Sequence, residues 1–89
     1  MRTDDLTREV HAYIAAQVTH ARVKKGLSKN RLAESAGLSQ QMVSYVEKGM
    51  RNASLDTLLR ISAALDLDLG AMLTHALRHT QRSAKKSAS

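Results

Sequence analysis

Apolar residues recur at three- and four-residue intervals along most of this 89-residue chain, the spacing that gathers them on one face of an α-helix. The pattern falls into five stretches. In the first, Leu6, Val10, Ile14, Val18 and Ala21 share a face, Thr3 stands at a capping position, and Asp4 and Asp5 oppose the positive end of the helix dipole. This helix is predicted to run to about Lys25 and to stop at Gly26. At about 1.5 Å per residue it is over 30 Å long, more than so small a domain needs to cover its own core, which leaves part of the stripe for a partner chain. The second stretch is short: Ser28 caps it, Leu32, Ala33 and Ala36 face inward, and Gly37 supplies a left-handed stop. The third follows two residues later, with Ser39 as cap, Val43 and Val46 inward and Gly49 as stop. Ser54 then caps a fourth helix whose Leu55, Leu58, Ile61, Ser62 and Leu65 form the strongest stripe and are expected to be the main wall of the core. Asp68 caps a fifth, with Leu69, Met72, Leu73, Ala76 and Leu77 along one face, before the pattern dissolves into "RHTQRSAKKSAS".

Composition agrees with helix. There is no Pro, Phe or Trp, Ala and Leu are abundant, and the residues that strands prefer are few. An all-α fold of five helices is therefore expected, with one domain over residues 1–79. The last residues, 80–89, are low in apolar content and rich in Ser and Lys, and are expected to form a disordered basic tail. The absence of Cys removes disulfides, thiolate metal sites and Cys nucleophiles together. No apolar run approaches the roughly 20 residues of a membrane helix, and the start "MRTDDLTREV" is charged where a signal peptide would be apolar. The expectation is a soluble, cytoplasmic protein without membrane contact. Its net charge of +6 favours a polyanionic partner, although charge alone does not separate DNA from RNA or an anionic membrane surface.

Two short helices joined by a tight glycine turn can form a helix-turn-helix, which places its second helix in the major groove of DNA. Small residues are needed where the helices cross, and Ala33, Ala36 and Gly37 meet that need. The segment from Arg22 to Leu73 contains "KGLS", "LAESAGLS", "VSYVEKG" and "LLRISAALDLDL" in order, and resembles the Cro/repressor-type (XRE) helix-turn-helix family of bacterial and phage transcription regulators. That resemblance implies a compact lambda-repressor-like domain, here with an extended N-terminal helix. It also implies a nucleoid-associated homodimer on a palindromic operator in double-stranded DNA, read by the third helix (39–48).

Carried onto this chain, the base-reading positions are Gln40, Gln41, Ser44 and Tyr45. Their chemistry suits the task. A Gln amide offers a donor and an acceptor that match N6 and N7 of adenine, Ser44 can reach a base or phosphate, and Tyr45 can set its ring against a thymine methyl. Phosphate contacts are expected from helix starts and nearby polar or cationic groups: Ser28, Lys29, Ser39, Lys48, Arg51 and Asn52. Lys29 stands where the family frequently has Gln, and Ala53 where it commonly has Pro, which exchanges a hydrogen bond for a point charge and a rigid loop for a looser one. Arg22 and Glu47 match a family pair that ties the first helix to the third.

Other signals carry less. His75 and His79 lie four apart on the last helix, a spacing that suits a shared metal, but no third ligand is nearby in the sequence and no metal is expected. Asp66 and Asp68 sit at a helix boundary, where capping explains them. Met42, Met50 and Met72 read as packing residues, with Met42 and Met50 placed to flank the groove. Neither a glycine-rich phosphate loop nor a nucleophile with a positioned base is present, so neither a cofactor nor catalysis is expected. Dimerisation is expected through the fifth helix, the long first helix, or both. The rival reading is a protein-interaction module, such as an antitoxin, whose main role is to bind a toxin, a polymerase subunit or another protein.

Overall fold

In the computed structural model, residues 2–50 and 53–88 are described, with side chains through Gln81. The chain forms α1 (Thr3–Lys24), α2 (Lys29–Ala36), α3 (Gln40–Glu47), α4 (Leu55–Ala64) and α5 (Leu69–Ala88). Among the described residues there is no strand.

Four of the five helix starts are held as their sequences dictate. The Ser28, Ser39 and Ser54 hydroxyls and the Asp68 carboxylate accept hydrogen bonds from the backbone N–H groups of Arg31, Met42, Thr57 and Ala71, each at 3.1 Å. Each such cap contributes about 1 kcal/mol. The start of α1 differs from expectation. Arg2 occupies the capping position without a side-chain bond and Thr3 is the first helical residue, so Asp4 and Asp5 alone answer the exposed N–H groups there.

The core joins Ile14 and Val18 of α1, Leu32, Ala33 and Ala36 of α2, Val43 and Val46 of α3, and Ile61 and Leu65 of α4. No single helix is its wall: α4 packs chiefly on α2, while α1 packs against both α3 and α5. Leu55 is 64 % exposed, because it lies at the margin of the buried face of α4 and in its first turn. Leu77 is 40 % exposed, whereas Leu69, Met72 and Ala76 are buried.

α5 does not stop where the apolar pattern fades. It continues to Ala88, through the stretch that composition assigns to disorder. Ala, Gln, Arg and Lys are good helix formers, no Gly or Pro interrupts them, and Thr80 is fully buried, so packing carries the helix into that stretch. α5 runs antiparallel to α1. Lys25 Nζ lies 3.1 Å from Asp66 Oδ2 at one end of the pair, and the Tyr13 and His79 rings meet at 5.6 Å further along. Asp66 is thus an ion-pair partner in a left-handed conformation (φ 57°) rather than a cap.

Candidate nucleic-acid interface

α2 and α3 are each only eight residues long, too short to hold together without tertiary support. Their relative placement is fixed by the turn between them. Gly37 adopts φ +70°, and its N–H and that of Leu38 close the end of α2 on the carbonyls of Glu34 and Ala33. Arg60 braces the same turn from α4, donating from Nη1 to the Ala36 carbonyl at 3.4 Å while its Nε engages Asp56 at 2.9 Å.

α3 has two faces with different employment. Val43 and Val46 are buried in the core. Gln40, Gln41, Ser44, Tyr45 and Lys48 lie together on the opposite side, where with Met50 they line one shallow open groove. The four residues expected to read bases are therefore contiguous, and Lys48 joins them. Met50, 45 % exposed, belongs to the same surface, in keeping with its expected place at the flank of the groove. Ser28, Lys29 and Ser39 sit at the starts of α2 and α3, outside this concavity. Both serine hydroxyls accept a capping bond, which leaves the hydroxyl proton free to donate to an anion. Arg51 and Asn52 lie outside the described residues.

The orientation of α3 against α1 is set by one carboxylate. Glu47 Oε2 accepts from Arg22 Nε at 2.7 Å, and its Oε1 accepts from Arg22 Nη2 at 3.1 Å and from Thr19 Oγ1 at 2.9 Å. Arg22 Nη1 also donates to the Leu27 carbonyl at 2.8 Å, which ties the loop before α2 into the same network. The Glu47 and Arg22 side chains are 5 % and 14 % exposed, so the fork works in a largely dry environment. Thr19 was not foreseen: a lone hydroxyl on a helix has no spacing signature. Beyond Glu47, Gly49 turns the chain in the left-handed conformation (φ +74°), with ordinary clearance from Ala12 of α1.

Other polar clusters do not converge on chemistry. His75 and His79 border, with Tyr13 and Arg78, a small hollow between α1 and α5. Among the described residues no three His, Cys, Asp or Glu side chains come together as a metal site. Nor, among them, is any helix long and apolar enough to cross a membrane.

An all-helical domain that presents a short polar-faced helix from a braced glycine turn is the lambda-repressor-like, helix-turn-helix class of fold. The helix-turn-helix family pattern matches residues 20–71, more than half of the chain, and the protein belongs to that family in its XRE-type form. It is 29 % identical over 68 residues to uncharacterized HTH-type transcriptional regulators from Rickettsia conorii and Rickettsia prowazekii. The match covers 76 % of this chain and 54 % and 52 % of theirs, so the chain spans about half the length of these relatives. Among solved structures, the clp gene regulator ClgR from Corynebacterium glutamicum aligns over 89 % of this chain and 84 % of its own, with a TM-score of 0.69 and 23 % identity. A point mutant of the restriction-modification controller protein C.Esp1396I aligns over 82 % of this chain and 95 % of its own, with a TM-score of 0.67 and 18 % identity. At these identities the two structures establish a shared fold.

Proposed function

We propose that the protein is a sequence-specific, DNA-binding transcription regulator that acts as a homodimer on a palindromic operator, with α3 in the major groove. The observation that carries this reading is the split employment of α3. One face is anchored by Val43, Val46 and Glu47, and the other gathers Gln40, Gln41, Ser44, Tyr45 and Lys48 on one open surface. A helix free to rock could not hold amides in register with base edges, so anchoring and outward polarity belong to one function. Gln40 and Gln41 occupy the N-terminal end of α3, the end that usually reaches the bases. Ser44 and Tyr45 follow one turn on, and Lys48, Ser28, Lys29 and Ser39 engage phosphates, as do Arg51 and Asn52, which follow Met50 in the sequence. The net charge of +6 supports a polyanionic ligand of this kind.

The test is selection of bound duplexes from a random DNA pool, followed by titration of the selected site with wild type and with Gln40→Ala/Gln41→Ala. Wild type is expected to enrich a two-fold symmetric site with half-sites about 34–36 Å apart. Each well-formed bidentate contact is worth about 1–3 kcal/mol, so the double variant loses roughly ten- to a hundredfold or more per half-site. Enrichment of no sequence, or unchanged specific affinity in a double variant that has lost a protein partner, would give the role to protein interaction instead.

A further inference from the structure

We propose that the cleft between α1 and α5 is a binding site for a small aromatic carboxylate, with the carboxylate at Arg78 and His75 and the ring against Tyr13. Two open hollows adjoin along this cleft. One, of about 260 Å³, is lined by Tyr13, His75, Arg78 and His79. The other, of about 370 Å³, is lined by Glu9, Ala12, Tyr13, Ala16 and His79, and falls within the roughly 300–1,000 Å³ of small-molecule sites. Tyr13 and His79, whose rings meet at 5.6 Å, border both hollows, so the two form one depression. It shares no residue with the groove on the outer face of α3, and the proposal goes beyond the DNA-binding reading.

The chemistry of the two hollows selects the occupant. The first is bordered by a guanidinium, two imidazoles and a phenol, all able to donate, and by no carboxylate. Arg8, Arg22 and Arg60 each pair with a carboxylate of this chain, whereas Arg78 has no such partner among the described residues. Its planar fork is therefore open to a carboxylate from outside. In the second hollow Ala12 and Ala16, exposed and one turn apart on α1, are too short to fill the space beside the Tyr13 ring. Glu9 borders that hollow and repels an anion there, which sets the direction of the ligand: carboxylate toward Arg78, ring toward Ala12 and Ala16. Next to His79, Thr80 is fully buried and its hydroxyl oxygen has no partner among the described residues. Buried hydroxyls are nearly always paired, so the joint at this level is not closed by its own side chains.

A nucleic acid fits this cleft less well. Phosphates tracked along it would meet Glu9, and beyond it Asp4 and Asp5 in the first turn of the same helix. A compact ligand with a single negative end avoids all three. Because Arg78, His75 and His79 are exposed, their attraction is screened by solvent, and a single-ring ligand is expected to bind with a dissociation constant on the order of 1 mM.

The test is titration of the full chain, labelled with nitrogen-15, with benzoate in the absence of DNA, so its outcome is independent of whether duplex binding occurs. Saturable amide shifts are expected within Glu9–Ala16 and His75–Thr80. Benzamide, which lacks the charge, and acetate, which lacks the ring, are each expected to bind about tenfold more weakly or worse. Arg78→Gln is expected to weaken benzoate about fivefold, with unchanged helical circular dichroism, while Arg31→Gln on α2 binds as wild type does. Ala12→Leu, which fills the second hollow, should weaken benzoate and leave the far weaker acetate as it was. No saturable shift up to about 50 mM benzoate, shifts centred on α2 and α3, or an Arg78→Gln variant that binds as wild type does would overturn the proposal. Acetate that binds as tightly as benzoate would overturn the aromatic part of it.

Discussion

Glu47 accepts three hydrogen bonds from two side chains of α1, and its near-complete burial sets the consequence of losing it. Truncation strands the Arg22 guanidinium in a dry site, and breaking a buried pair in this way costs roughly 3–5 kcal/mol. Glu34, by contrast, is exposed and has no side-chain partner among the described residues, so its replacement is expected to stay within about 0.5 kcal/mol of wild type. Glu47→Ala is therefore predicted to lower the melting temperature by well over 10 °C and Glu34→Ala by a few degrees at most, read by thermal unfolding. Equal melting temperatures would show that the fork contributes nothing.

Between the helices, the joint of α2 and α3 depends on a backbone position and on a side chain that approaches it from α4. A Cβ at Gly37 would sit 3.1 Å from Arg60 Nη1, whereas one at Gly49 meets only the Ala12 backbone at 3.6 Å, an ordinary contact. Both positions carry the left-handed penalty of about 1–2 kcal/mol for an L side chain. Gly37→Ala additionally requires Arg60 to give by a few tenths of an ångström, which strains its 3.4 Å bond to the Ala36 carbonyl, and is predicted to destabilise more than Gly49→Ala does. In the Arg60→Ala background that excess should vanish, and a double-mutant cycle in urea measures it. If the excess persists without Arg60, the brace is not its cause.

For the molecule as a whole, the net charge of +6 predicts an affinity for duplex that falls linearly in log–log form with salt, with a slope near −0.9 per phosphate neutralised. The end of α5 is basic in sequence, carrying Arg82, Lys85 and Lys86, but the helix-turn-helix has cations of its own in Lys29, Arg31 and Lys48. Deletion of Gln81–Ser89 is therefore predicted to leave the salt slope unchanged. A slope shallower by one or more would assign phosphate contacts to that segment.

Much of this architecture is written locally. Ser28, Ser39, Ser54 and Asp68 cap because a short oxygen-bearing side chain at that position satisfies N–H groups within its own turn, and Gly37 and Gly49 end helices because the backbone there needs φ near +70°. The same local logic placed Gln40, Gln41, Ser44 and Tyr45 on a face away from Val43 and Val46. It misled where neighbours in space outvote neighbours in sequence: Leu55 stays in solvent despite its place in the stripe, and α5 continues helical beyond its last strong apolar residue. Thr19, which reaches Glu47 across 28 positions, and Arg60, which reaches Ala36 across 24, leave no periodic trace, because their roles exist only once separate helices have packed. The sequence by itself determined five helices, the ends of α2, α3 and α4, and the polar face of α3, since each depends on contacts within a few residues. Only the tertiary structure decided how α3 is held and which apolar face is left over on α4, since both depend on which helices cover one another.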